Sequence, residues 1–236
     1  LVTTALGFYI GAKEAIDGMT FWIALAGTAL VSAASGAINM AVEHERDARM
    51  ARTENRPVAA GRISYGAALF FGLGLAAVGL VSLPVGVNPL AGGMAAVSLA
   101  IYVLLYTPLK PLTTTNTLVG GISGAIPPMI GWAAARGELG IGAWVLFAIL
   151  FFWQLPHFLA IAWLYREDYA RAGFAMLPVV DPDGVSTGRQ VILQTLALIT
   201  ASLLPGYLGM AGPVYFAAAA ALGLGFLGFG VAFAAC

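Results

Sequence analysis

Asn39, Glu43 and Asp47 follow one another at intervals of four residues in a chain that is 60% hydrophobic and only 9% charged. Because an α-helix completes a turn in about 3.6 residues, this spacing predicts that the three side chains share one helical face. Two such carboxylates suit a hard cation like Mg²⁺, which takes few carboxylates because it retains water and binds phosphate oxygens. Arg52 and Arg56 follow, and planar guanidinium groups suit phosphate. The segment indicates a metal and phosphate site, or alternatively a solvated loop whose arginines contact lipid headgroups.

A second polar segment, "YTPLKPLTTTN", covers residues 106–116. Its prolines and threonines argue against a regular helix. Lys110 is the only cation of this segment and stands four residues after Tyr106. Taken alone, Lys110 is equally well explained as an anchor that fixes the membrane topology. If it lies opposite a metal and arginines, it becomes a second phosphate contact.

The third polar region starts inside an apolar run, where "WQLPHF" contains Gln154 and His157. Ionisable and polar groups within a membrane span are candidates for a functional site, although a packing histidine is the alternative. Further along, Glu167 and Asp168 return acidic groups to the end of the span. These acids belong either to a solvated loop or to the same site as the first acidic cluster.

The elements that position these residues are membrane-spanning helices. Mean hydropathy is +0.90, which is typical of polytopic membrane proteins, and a spanning helix needs about 20 apolar residues. We therefore predict an all-α bundle of transmembrane helices, with residues 1–10 as the end of a further span. Apolar runs of sufficient length lie near 20–42, 64–83, 90–106, 116–135, 141–164, 189–210 and 212–234.

Lysine and arginine are distributed unevenly between alternate loops. The richer loops carry Arg46, Arg49, Arg52, Arg56, Arg62, Lys110, Arg166, Arg171 and Arg189, and the opposite loops carry Lys13 and Arg136. The excess marks the cytoplasmic side, so all three polar segments are predicted to face the cytoplasm. A formal net charge of zero argues against nucleic acid as a partner, and a single cysteine excludes an internal disulfide.

Four segments together carry a family resemblance. The run N-x-x-x-E-x-E-x-D-x-x-M-x-R-T-x-x-R-P, followed by "YTPLK", "NTLVGGISGAIPPMIGWAA" and "WQLPHF" with "DYARAGFAMLPVV", resembles the UbiA-type intramembrane prenyltransferases, and within them the branch that farnesylates haem B. The family has nine spans around a central cavity, of which about eight are represented here. Because the chain begins at Leu1 and ends at Cys236 in an apolar run, we expect a single transmembrane domain over 1–236 that lacks pieces at both ends.

The resemblance implies transfer of farnesyl from farnesyl diphosphate to a vinyl group of haem B, with water addition, to give haem O. It makes Asn39, Asp47 and Lys110 catalytic, assigns Mg²⁺ to Asn39, Glu43 and Asp47, and offers Asp168 either to a second metal or to positioning Tyr169 and Lys110. The remaining assignments are diphosphate binding by Arg52, Arg56, Lys110 and Tyr106, and haem binding by His157, through iron or a propionate, with Gln154 alongside. It also implies a bacterial-type inner membrane and hand-over of the product to a haem A synthase or a terminal oxidase.

Two departures from the family pattern bear on the site. Pro111 stands where a basic residue usually follows the lysine, and Glu43 and Glu45 replace the more common aspartates. The alternatives are a prenyltransferase with a quinone-precursor aromatic or chlorophyll-type acceptor, a membrane transporter, and a haem-binding subunit without catalysis. Because the far-side loops are nearly uncharged, a cavity closed at one end is favoured over a transport path.

Overall fold

A computed structural model describes residues 1–12 and 17–235. The part of the chain described there contains helices and no strand, which confirms the all-α prediction. Lys13, which the loop count assigns to the far side, lies outside the described residues. The helices are α1 Val2–Gly11, α2 Gly18–Val42, α3 His44–Asp47, α4 Tyr65–Gly86, α5 Pro89–Ala100, a π-helical turn Ile101–Tyr106, α6 Thr107–Leu109, α7 Asn116–Ala125, α8 Pro127–Arg136, α9 Ile141–Leu164, α10 Arg166–Arg171, α11 Leu177–Val180, α12 Val185–Tyr207 and α13 Pro213–Ala234.

Seven helical segments are long and apolar enough to cross a membrane, so the protein is an integral multi-pass membrane protein. Each matches a run expected from the sequence, with boundaries that differ by a few residues. Two spans are composite: Pro89–Leu109 contains the π-helical turn, and Asn116–Arg136 joins α7 to α8. The shorter α1 corresponds to the expected end of a further span.

Local chemistry sets several of the helix ends. The side chains of Asp17, Ser64 and Asn88 accept hydrogen bonds from backbone N–H groups in the first turns of α2, α4 and α5, as residues that precede a helix commonly do. Gly137 ends α8 with a φ of +70°, which glycine adopts without a steric penalty. These ends fix where each span stops and where the polar loops begin.

Close backbone contact holds α1 against α8. A Cβ atom on Gly131 would lie 1.9 Å from the Thr4 carbonyl oxygen, and one on Gly7 would lie 2.0 Å from that of Pro128. Only glycine permits this approach, as is common between membrane helices, where small residues replace the hydrophobic effect as the basis of packing. Phe8 of α1, Ile130 of α8 and the intervening Ile126 belong to one buried hydrophobic cluster.

Candidate active site

The three residues spaced along the first polar segment line one cavity of about 170 Å³. Asn39 comes from α2, Glu43 from the junction where α2 ends, and Asp47 from the end of α3. Their exposed fractions are 6%, 4% and 1%. Two carboxylates are thus buried at the end of a membrane span, which is costly unless cations accompany them.

Lys110 supplies one of those cations. Its Nζ atom lies 2.8 Å from both Glu43 carboxylate oxygens and donates to Asn39 Oδ1 at 3.1 Å. Glu43 Oε1 is buried and forms no hydrogen bond, whereas Oε2 also accepts from Asn39 Nδ2 at 2.9 Å. Burial lowers the pKa of Lys110, and the Glu43 carboxylate opposes that shift. The second polar segment therefore meets the first, as expected.

Arginine side chains complete the polar wall. Arg56 Nη1 donates to both carboxylate oxygens of Asp47, at 3.0 and 2.8 Å. Arg52 donates to the Tyr169 hydroxyl at 2.9 Å and lies over the rings of Tyr165 and Tyr169, at 5.0 and 5.4 Å. Three cations and two carboxylates line the cavity, so its side chains carry a net formal charge of +1, which suits an anion.

Asn116 joins two of the loops that carry the site and was not singled out from the sequence. Its side chain is fully buried, and Nδ2 donates to the carbonyl oxygens of Thr113 at 2.6 Å and Ala175 at 3.1 Å. Ala175 N–H in turn donates to the Lys110 carbonyl oxygen at 2.8 Å. The usable signal in the sequence was a polar residue at the first position of an apolar span.

Tyrosine rings separate the polar cavity from a larger one. Tyr102 and Tyr106 come from the π-helical turn, a rare element that is often found at functional sites. Both line the polar cavity and also a cavity of about 410 Å³ that includes Gln154 and Phe158 in its wall. Tyr106 additionally borders a third space of about 210 Å³, and its ring centroid lies 4.5 Å from Lys110 Nζ. The structure thus juxtaposes a charged compartment and a mainly apolar one.

Gln154 and His157 of α9 differ in burial. Gln154 lines the larger cavity, and its Nε2 donates to the carbonyl oxygens of Leu150 at 3.0 Å and Gly121 at 3.4 Å. His157 is exposed and stacks on Trp153, with ring centroids 5.0 Å apart. It is absent from the walls of the three cavities described above, so its haem-binding role stays a prediction.

Asp168 pairs with Arg171 on its own helix, α10. It does not line the polar cavity, and within ranges 1–12 and 17–235 no three acidic, histidine or cysteine side chains converge as a ready-made metal site. Two carboxylates and one amide oxygen do converge. That partial set of hard oxygen donors fits Mg²⁺, which completes its shell with water and substrate phosphate oxygens. A second metal held by Asp168 stays a prediction.

Known proteins resemble this chain over nearly its whole length. The model of the UbiA prenyltransferase family matches residues 1–235. Protoheme IX farnesyltransferase of Solibacter usitatus (strain Ellin6076) is 48% identical, covering 98% of this chain and 82% of its own length, and that of Myxococcus xanthus (strain DK1622) is 44% identical, covering 98% and 78%.

Solved structures agree at the level of fold. A digeranylgeranylglyceryl phosphate synthase has a TM-score of 0.81 at 19% identity, covering 98% of this chain and 80% of its own. A UbiA homolog from Archaeoglobus fulgidus bound to DMAPP and Mg²⁺ has a TM-score of 0.74 at 16% identity, covering 99% and 80%. With the family model matched over nearly the whole chain, this protein belongs to the UbiA prenyltransferase family.

Proposed function

We propose that this protein transfers the farnesyl group of farnesyl diphosphate to a vinyl group of haem B, with addition of water, to form haem O. The observation that carries the proposal is the polar cavity of buried ion pairs that adjoins a larger, mostly apolar cavity across Tyr106. Relatives named protoheme IX farnesyltransferase, similar over almost the whole chain, support haem B as the acceptor.

The cations of the polar cavity would hold the diphosphate. Arg52, Arg56 and Lys110 bring donors to one small space, and charge-assisted hydrogen bonds to phosphate oxygens are among the strongest that proteins form. Tyr106 lies beside Lys110 and is a further diphosphate contact. To reach the substrate, Lys110 and Arg56 must share their N–H groups between the diphosphate and the carboxylates that they now contact.

Asn39, Glu43 and Asp47 would hold Mg²⁺ by their oxygen atoms. When bound, the metal neutralises charge on the departing diphosphate and so lowers the barrier to breaking the carbon–oxygen bond. The chain's own contribution is to orient the diphosphate by fixed cations and to keep bulk water away from the allylic carbon. Tyr102 and Tyr106 present aromatic faces at the boundary where that carbon would lie, and such faces attract positive charge.

The larger cavity would receive the farnesyl chain and the reacting edge of the haem. Gln154 lines it, while His157, on the adjoining outer surface of α9, would contact iron or a propionate of a haem that protrudes from the bundle. The lysine and arginine excess supports a position of the polar cavity at the cytoplasmic side. An inner membrane of bacterial type is part of the same proposal. Hand-over of haem O to a haem A synthase or a terminal oxidase is part of the same proposal.

The test is incubation of the purified protein, in lipid nanodiscs, with haem B, farnesyl diphosphate and Mg²⁺, followed by mass spectrometry. Haem O should form, and removal of divalent metal by EDTA should abolish its formation until Mg²⁺ is restored. Parallel reactions replace haem B with 4-hydroxybenzoate. A prenylated phenolic acid without any farnesylated haem would overturn the assigned acceptor, and no prenylated product from either would overturn the enzyme assignment.

A further inference from the structure

The span Asn116–Arg136 is interrupted halfway across the membrane. α7 ends at Ala125, Ile126 lies between the helices, and α8 starts with Pro127 and Pro128. A proline has no backbone N–H, so the carbonyl groups four residues before the two prolines, on Ser123 and Gly124, lose their helical donors. In a membrane, such carbonyl groups must be satisfied by protein or by an enclosed polar ligand.

One of these carbonyl groups has found a donor within the protein. Ser98 Oγ donates to the Ser123 carbonyl oxygen at 3.0 Å. Gly124 differs, because no N–H or hydroxyl group in the described part of the chain donates to its carbonyl oxygen. Gly124 and Pro127 line the 410 Å³ cavity, so a carbonyl group with free acceptor capacity belongs to its wall.

The Gln154 amide oxygen lies immediately beside Gly124. A Cβ atom added to Gly124 would stand 2.1 Å from Gln154 Oε1. The amide is fixed in this orientation because its nitrogen donates to Gly121 and Leu150. No described donor occupies Oε1 itself, which leaves a second acceptor next to the first.

Serine hydroxyl groups extend the same wall. Ser35 donates to the Val31 carbonyl oxygen at 3.0 Å and Ser123 to that of Gly120 at 3.0 Å, and both residues line the cavity. Because their protons are committed to the backbone, their oxygens present lone pairs. The part of the wall formed by Gly124, Gln154, Ser35 and Ser123 therefore presents acceptors, and it suits a small ligand that donates hydrogen bonds. Water is such a ligand.

We propose that this acceptor wall, made of Gly124 O, Gln154 Oε1 and the serine oxygens, holds the water that becomes the hydroxyl group of the product. The inference rests on the proposed function. A water that donates both O–H groups to acceptors turns its lone pairs towards the interior of the cavity. The wall thus orients water as a nucleophile, whereas a wall of donors would engage those lone pairs.

The step balances as follows. The C1–O bond of farnesyl diphosphate breaks, and its electron pair leaves with the diphosphate. The terminal vinyl carbon of haem forms a bond to C1, which leaves positive charge on the vinyl carbon attached to the ring. The held water adds to that carbon and releases one proton to the departed diphosphate. Without a placed water, the cation instead loses a proton from carbon and yields a farnesylated alkene lighter than haem O by one water.

The experiment measures the ratio of this alkene to haem O. Gln154→Leu deletes the amide, and Gly124→Ala keeps every hydrogen-bonding group but displaces Oε1 with the new methyl group. Each variant should raise the ratio of alkene to haem O at least about tenfold. That change corresponds to roughly 1.4 kcal/mol in the difference between the two competing activation free energies. Gln194→Leu, in a separate cavity bordered by α12, is the matched control and should keep the wild-type ratio. Reactions in H₂¹⁸O should label the wild-type hydroxyl.

A product ratio can be read at low turnover, so a weakened or partly unfolded variant still reports. If both variants make farnesylated haem that is hydroxylated as fully as the wild-type product, the acceptor wall does not hold the water, and farnesyl transfer itself stands. If the wild type makes no farnesylated haem at all, the proposed function fails, and this inference falls with it.

Discussion

At the scale of single residues, the polar cavity balances opposite charges that water would otherwise solvate. Lys110 contacts Glu43, and Arg56 contacts Asp47. A buried pair of this kind contributes little net stability, because desolvation offsets the attraction, yet removal of one partner is expensive. Such an arrangement is explained better by binding than by stability, since the same cations are available to an incoming diphosphate.

Lys110→Met should separate these two contributions. The change leaves Glu43 buried without its cation and should lower the free energy of unfolding by roughly 3–5 kcal/mol. The double variant Lys110→Met with Glu43→Gln removes both charges and should recover most of that stability. In both variants, haem O should form at least about tenfold more slowly than in the wild type. The reason is that a hydrogen bond to a charged group contributes about 1.5–3 kcal/mol. Thermal unfolding in detergent and haem O formation are the two measurements. Recovery of activity in the double variant would contradict a diphosphate role for Lys110.

At the scale of elements, the site depends on how loops are tied together at the end of the bundle that carries the polar cavity. The first turn of α7 carries Asn116, which bonds to Thr113 in the Lys110 loop and to Ala175 after α10. Phe174, the neighbour of Ala175, and Tyr169 on α10 both line the polar cavity. The cavity therefore keeps its shape only while these two loops stay together.

Asn116→Ala should loosen that connection without removing any group from the cavity wall. A buried carbonyl group that loses its hydrogen-bond donor costs about 1–3 kcal/mol. The free energy of unfolding should therefore fall by about that amount. The KM for farnesyl diphosphate should rise more than kcat falls, because the cations remain present but are less well placed. Asn55→Ala, in an exposed part of the first loop, is the control. It should change neither the free energy of unfolding nor the KM for farnesyl diphosphate. An unchanged KM in a destabilised Asn116→Ala protein would restrict Asn116 to a role in folding.

Sequence patterns predicted some elements of this site and missed others for physical reasons. The four-residue spacing of Asn39, Glu43 and Asp47 sufficed, although Glu43 separates α2 from α3. The backbone N–H groups of Glu43 and Asp47 still donate to carbonyl oxygens four residues earlier, so the three side chains stay on one side. Gln154 and His157 were predicted to bind the haem side by side, and the structure buries Gln154 in the cavity wall while it leaves His157 exposed. Because α9 is apolar on all sides, its composition does not mark which face is buried, and only packing against α7 and α12 decides this. The π-helical turn likewise has no simple sequence signal.

At the scale of the whole molecule, polarity is concentrated at one end of the bundle. The described cavity with buried ion pairs lies among loops that carry most of the lysine and arginine residues. At the opposite end, Arg136 donates to the Gly11 carbonyl oxygen at 2.6 Å and covers the ring of buried Trp132. These contacts tie α8 to α1 at that end, and the concentration of charge at the other end suits a cavity entered from one side better than a transport path.

Membrane sidedness gives a test of this arrangement in the intact bilayer. The charged diphosphate of the substrate does not cross a bilayer unaided, so added farnesyl diphosphate reaches the polar cavity only from the side to which that cavity opens. Inverted inner-membrane vesicles that contain the protein should form haem O at least about ten times faster than right-side-out vesicles, given that barrier. Permeabilising both preparations with detergent should make the rates equal, which controls for the amount of enzyme. Equal rates in sealed vesicles of both kinds would contradict a cavity that opens only to the cytoplasm, and faster reaction in right-side-out vesicles would reverse the orientation derived from the lysine and arginine distribution.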